Sequence, residues 1–179
     1  KICQKINFPK GVINIVHGSG ATAGNAVVKK CDVISFTGGT ETGRLVAANA
    51  AKDFKKCSLE LGGKNPTVIF SDCDIDLAVE TAVKASFLNQ GQICLCGSRI
   101  FVEESIYDLF RKSFLEKTEK LTVGDPSSVK SNLGAVVSKD HLEKIILEVQ
   151  LAEKAGGKII CGGNRLILDG NLSGGYYMS

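Results

Sequence analysis

Long apolar runs are missing from this chain. Nothing approaches the roughly 18 consecutive apolar residues that a membrane-spanning helix needs, and no signal peptide precedes the first strand-like segment. Both absences predict a soluble, cytoplasmic protein with no membrane partner. Basic clusters are missing too: net charge is +3, and the basic residues are scattered in nothing longer than pairs such as Lys29-Lys30. No nucleic-acid partner is therefore expected. Histidine is scarce. His17 and His141 show no spacing for a triad or a metal, so His17 reads as structural and His141 as a solvated or ligand-reaching side chain. Only 3 prolines stand against 20 glycines, a balance that suits an α/β protein with many tight turns.

Cysteine is plentiful by comparison. The 7 residues are an odd number without regular spacing, which argues against a disulfide framework and for a reducing compartment. Cys94-x-Cys96 lacks a second Cys/His pair at ligand spacing, so no metal site is expected.

Apolar segments bounded by glycine predict a strand at Val12–Val16, a helix from about Thr22 to Lys30, a strand at Val33–Phe36 and another at Cys57–Leu61. A helix capped by Thr37 or Thr40 and reaching about Lys52 joins the last two. This alternation predicts a parallel sheet with crossover helices. After Gly62-Gly63, a second series is expected. It comprises a strand at Thr67–Phe70, a helix capped by Asp74, and a strand at Ser98–Val102. A helix opened by a Ser105-x-x-Asp108 capping box follows, then a helix striped by Leu142, Ile145, Ile146 and Val149, and a strand at Lys158–Cys161. The glycine pair is the predicted boundary between two α/β units.

Two residues carry candidate chemistry. Cys94 lies just past Gly91-Gln92, where a turn entering a helix would offer backbone N–H groups to a thiolate and to a developing oxyanion. The alternative is a small buried residue. Glu60 ends the apolar strand Cys57–Leu61; partly buried, it would have a raised pKa and serve as a general base, whereas an edge strand would simply point it outward. The glycine sets are less specific. Gly18-x-Gly20-x-x-x-Gly24 is one residue longer than the dinucleotide fingerprint. Thr37-Gly38-Gly39-Thr40-Glu41-Thr42-Gly43 joins strand to helix and would present free N–H groups to a pyrophosphate. Either could be no more than a tight βα turn.

Taken together, the motifs Gly11–Gly18, Phe36–Gly43, Leu59-Glu-Leu-Gly-Gly-Lys-Asn-Pro66 and Phe87-x-x-Gln-Gly-Gln-x-Cys94-x-x-x-x-Arg99 resemble the NAD(P)-dependent aldehyde dehydrogenase superfamily. Around Cys94 they look closest to the 2-aminomuconate and 2-hydroxymuconate semialdehyde dehydrogenase-like members, with betaine-aldehyde and aliphatic enzymes still open. The resemblance implies residues 1–62 as the C-terminal part of a Rossmann-like parallel-sheet cofactor domain. It implies residues 63–179 as the first part of a second, catalytic α/β domain. It implies Cys94 as nucleophile, its N–H as part of the oxyanion hole, and Glu60 as the base that activates water for hydrolysis of a thioester. Gly20 and Gly38, Gly39, Thr40, Glu41, Thr42 and Gly43 would hold NAD, with NADP not excluded. Leu61 would lie against the nicotinamide, and Lys144, with His141 near it, would approach a ribose. The expected partner is a small aldehyde, and the parent protein is expected to be a homodimer or homotetramer. Gly39 departs from the serine frequent in the family. Further family groups belong upstream of Lys1 and beyond Ser179, so the chain is expected to be an internal piece, inactive or nearly so alone. The opposing reading is a catalytically inactive piece with only a binding or structural role.

Overall fold

The computed structural model describes residues 2–179, and the chain divides between Gly62 and Gly63 into two compact units. In the first, a short helix α1 (Ile2–Lys5) is followed by an irregular stretch, a π-helical turn over Gly20–Gly24 and helix α2 (Asn25–Lys30). Strand β1 (Val33–Gly38), helix α3 (Thr40–Ala51) and strand β2 (Lys56–Leu61) then form a βαβ crossover with β1 and β2 parallel. The reason lies in the sequence. Ile34 and Phe36 alternate along β1, Cys57 and Leu59 along β2, and all four pack on Val46 and Ala50 of α3 and Val28 of α2. Lys55 closes this unit by donating to the carbonyls of Val28 (2.9 Å) and Lys29 (2.7 Å). That places a cation on carbonyls left open at the end of α2.

The second unit repeats the theme. Strand β3 (Pro66–Ile69) leads through helix α4 (Ile75–Phe87) to the parallel strand β4 (Arg99–Val102). Asp74 caps α4 by accepting the Leu77 N–H at 3.1 Å. Val79 and Ala82 of α4 bury against Ile69 and against Phe110 of helix α5 (Tyr107–Thr118). Helix α6 (Lys139–Lys154), capped by Ser138, buries Leu142. Two short antiparallel strands, β5 (Arg165–Leu166) and β6 (Tyr177–Met178), complete the unit. The architecture is α/β with parallel strand pairs, as the alternation of elements predicts.

Four local expectations are corrected. Val12–Val16 is not a strand: it is irregular, and Val12, Ile13, Ile15 and Val16 are exposed. Apolar character alone cannot make a strand without a neighbour to take its N–H and C=O groups, and β1 pairs only with β2 among the described residues. Lys158–Cys161 is likewise irregular, held between backbone reversals at Gly156 and at Gly162-Gly163, all with positive φ. The cap of α3 is Gly39, not Thr37 or Thr40, and no side chain closes it. Ser105 makes no capping box: its hydroxyl donates to Glu103 at 3.1 Å, and a 3₁₀ turn over Glu104–Ile106 opens α5 instead.

Candidate active site

In the first unit, parallel register sets Thr37 beside Glu60 and Gly38 beside Leu61. The glycine-rich turn and the Glu60-Leu61 pair therefore share one edge, the carboxyl ends of two adjacent strands. Ligands of open α/β sheets bind outside such ends. Gly39 adopts an extended conformation, and the first intrahelical bond of α3 runs from Gly43 N–H to the Gly39 carbonyl at 2.9 Å. Thr40, Glu41 and Thr42 thus have N–H groups without helical acceptors. The Glu41 carboxylate turns toward Arg44, 3.5 Å away on the exposed face.

Two local features differ from the expected arrangement. The Gly43 N–H is bonded within the helix, to the Gly39 carbonyl, so Gly43 offers the turn close packing rather than a free N–H. A Cβ on Gly43 would sit 2.6 Å from Leu61 Cδ2, so glycine lets α3 lie against β2 here without displacing Leu61. Glu60 is exposed rather than partly buried: alternation along β2 points it away from α3, and no wall of this unit covers it. Gly20 opens the π-helical turn, where Ser19 accepts the Thr22 N–H, and a Cβ there would meet nothing within 4 Å.

In the second unit, α4 ends at Phe87 and the backbone reverses through Asn89 (φ 52°), Gln90 (φ 57°) and Gly91 (φ 70°). Three successive left-handed residues are unusual. Each non-glycine one costs about 1–2 kcal/mol, least for Asn, so bonds outside the loop must hold it. With its amide oxygen facing Gly134, Gln90 accepts that N–H at 2.7 Å. Cys94 follows on a turn closed by Cys96 N–H donating to the Ile93 carbonyl at 3.0 Å. Its thiol is exposed, whereas Cys96 is buried. The turn runs into β4, not into a helix as expected, so no helix N-terminus follows Cys94.

What fixes the turn comes from its neighbours. Asn65 Nδ2 donates to the carbonyls of Cys94 (2.6 Å) and Cys96 (3.1 Å). Gly97 N–H donates to Ala85 O at 3.0 Å, and Ser86 Oγ donates to Gly97 O at 3.1 Å. Arg99 ties strand to strand: its backbone N–H donates to Asn65 O at 3.2 Å and its Nε to Lys64 O at 2.8 Å.

Residues 1–179, the full chain, match the aldehyde dehydrogenase family. The chain belongs to that family. It is 46% identical over 182 residues to 2-aminomuconic semialdehyde dehydrogenase of Danio rerio, covering 99% of this chain and 37% of that protein. It is 44% identical over 167 residues to cytosolic aldehyde dehydrogenase 1 of Mus musculus, covering 92% and 33%. Among solved structures, betaine aldehyde dehydrogenase of Staphylococcus aureus in complex with NAD+ superposes with a TM-score of 0.91 at 38% identity, covering 98% of this chain and 35% of that one. The chain thus spans about a third of the length of the relatives it matches.

Other predicted positions in this aldehyde dehydrogenase segment are less tightly placed. Lys144 is exposed near the start of α6, and His141 is half-buried, its N–H donating to Ser138 Oγ at 3.2 Å. His17 is exposed on the irregular stretch, with no strand to end. An apolar cavity of about 490 Å³, lined by Phe87, Leu121, Val123, Ile145, Cys161 and others, does not reach Cys94. Burial, reinforced by Glu119, pushes the Cys161 thiol up, the wrong direction for a nucleophile. Asn65 escaped sequence reasoning except as one letter of a motif. A donor amide just ahead of Pro66, at the mouth of a strand, is the signal that could have found it.

Proposed function

We propose that this chain is the nucleophile-bearing part of an NAD+-dependent aldehyde dehydrogenase that oxidises a small semialdehyde to a carboxylic acid in the cytoplasm. In this reading residues 1–62 belong to the cofactor domain and residues 63–179 to the catalytic domain. The observation that carries it is an exposed thiol, Cys94, on a turn pinned by Asn65 at the entry to β3, within a chain that matches the family from end to end. The free N–H groups of Thr40, Glu41 and Thr42, beside an unhindered Gly39, fit a pyrophosphate. Bound NAD+ would supply the acceptor for a hydride. Leu61 would stand at the nicotinamide end of the same strand edge.

Cys94 attacks the aldehyde carbon as a thiolate, forming a C–S bond and a thiohemiacetal alkoxide. Backbone N–H groups of the turn, Cys94's own included, steady that oxyanion. Loss of hydride from carbon leaves a thioester on the sulfur. Glu60 takes a proton from water, the water attacks the thioester carbon, and the C–S bond breaks to release the acid and restore the thiolate. Exposure of Glu60 suits a base that must meet water. A base at this position also favours hydrolysis over acyl transfer to a second thiol.

The test uses a polypeptide of the relatives' length that carries this segment. Cys94→Ala should abolish aldehyde-dependent NADH formation. Glu60→Gln should retain a pre-steady-state burst of NADH while slowing steady turnover by about 100-fold or more, roughly 1.4 kcal/mol per factor of ten. Turnover at the wild-type rate in Cys94→Ala would overturn the proposal, leaving the chain a binding or structural domain.

A further inference from the structure

We propose that Asn65 is the positioning residue that aims the Cys94 sulfur; this rests on the reading of Cys94 as the nucleophile. A side-chain amide has two hydrogens to give, and Asn65 directs them to the carbonyls of Cys94 and Cys96, 2.6 and 3.1 Å away. One side chain therefore grips both ends of the Cys94-Leu95-Cys96 segment. Fixing the Cys94 and Cys96 carbonyls fixes the peptide planes that leave their Cα atoms, and this restricts the directions open to the Cα–Cβ bond that carries the sulfur.

The grip comes from the residue that leads directly into β3, and backbone and side-chain bonds from Arg99 of β4 hold that entry in place. Asn65 stands directly before Pro66, whose ring limits the backbone at the start of β3. Its own carbonyl accepts the Arg99 N–H at 3.2 Å, and the preceding Lys64 carbonyl accepts Arg99 Nε at 2.8 Å. The turn needs such a hold because the chain reaches Cys94 through left-handed Asn89 and Gln90, conformations that local propensity does not favour. Exposure of Cys94 removes the other means of fixing a side chain, burial among packed neighbours.

Variants at position 65 separate aiming from mere support. Asn65→Asp keeps the shape but turns oxygens toward both carbonyls. Asn65→Ser keeps one donor on a shorter arm. In the polypeptide of the relatives' length, Asn65→Asp should lower kcat per titrated active site by about 10- to 100-fold. Alkylation of Cys94 by iodoacetamide should change in parallel, while the Kd for NAD+ stays within about threefold. Asn65→Ser should fall between Asp and wild type, and it carries the test if the Asp variant does not fold. If the better-folded variant shows kcat and alkylation within about twofold of wild type, or a loss matched by the fraction unfolded, Asn65 is only a structural support and the proposal is overturned. Retained activity in Cys94→Ala would instead strike the reading beneath it.

Discussion

Replacing Gly43 by alanine tests whether helix packing sets the geometry of the proposed cofactor turn. The new Cβ would lie 2.6 Å from Leu61 Cδ2, 3.5 Å from Cδ1 and 3.6 Å from Cγ. Ordinary contact begins near 3.4 Å, so the two must separate by about 0.8 Å (3.4 less 2.6). Either Leu61 swings or the first turn of α3 lifts. Overpacking of this kind costs ~1–3 kcal/mol, offset by ~1 kcal/mol of helix propensity gained by alanine. Net destabilisation is then at most about 2 kcal/mol, a melting shift of a few degrees. Binding should suffer more. A displacement approaching 1 Å carries an N–H···O bond from about 2.9 Å beyond useful range, and one charge-assisted bond is worth ~1.5–3 kcal/mol. NAD+ affinity, measured by titration calorimetry on the polypeptide of the relatives' length, should fall by about 10- to 100-fold. Gly174→Ala, where a Cβ meets nothing within 4 Å, should leave it unchanged. A Gly43→Ala protein with wild-type affinity and an unchanged or raised melting temperature would refute the packing argument.

Two further outcomes are expected. Leu142, 1% exposed, should cost ~2–5 kcal/mol when cut to alanine, read as a lower denaturant midpoint; a loss under about 1 kcal/mol would mean that α6 is not anchored there. The Ser71 backbone N–H at 2.8 Å, helped by the Ser105 hydroxyl, holds the Glu103 carboxyl below its ordinary value. Its stabilising contribution is therefore complete above about pH 4.3 and is lost as pH falls through the depressed folded value. Carboxyl NMR titration of Glu103 should show a midpoint below about 4.3, and a midpoint at or above that value would contradict these bonds.

Element types were legible where periodicity and a local device agreed. Asp74 three residues ahead of Leu77 marked the start of α4, and alternation in Cys57–Leu61 marked β2. The misread strand and the hidden site contacts share one cause: the deciding partner is remote in sequence. Val12–Val16 is apolar enough for a strand, but pairing is a property of two segments, not one. Ser105 had a competing acceptor in Glu103, which sequence spacing does not weigh. At the site, Cys94 and Glu60 stood out by chemistry. Gly43 was ambiguous, because a tight βα turn and a close helix–strand contact ask for the same residue. Asn65 stayed hidden because its bonds reach 29 and 31 positions along the chain.

If Cys94 is the nucleophile proposed above, the left-handed passage through Asn89 and Gln90 sets thermal endurance against reactivity. Glycine at either position would relax the main chain and ease refolding. It would also free the pivot on which the sulfur is mounted, so an engineer seeking a hardier protein should look elsewhere first.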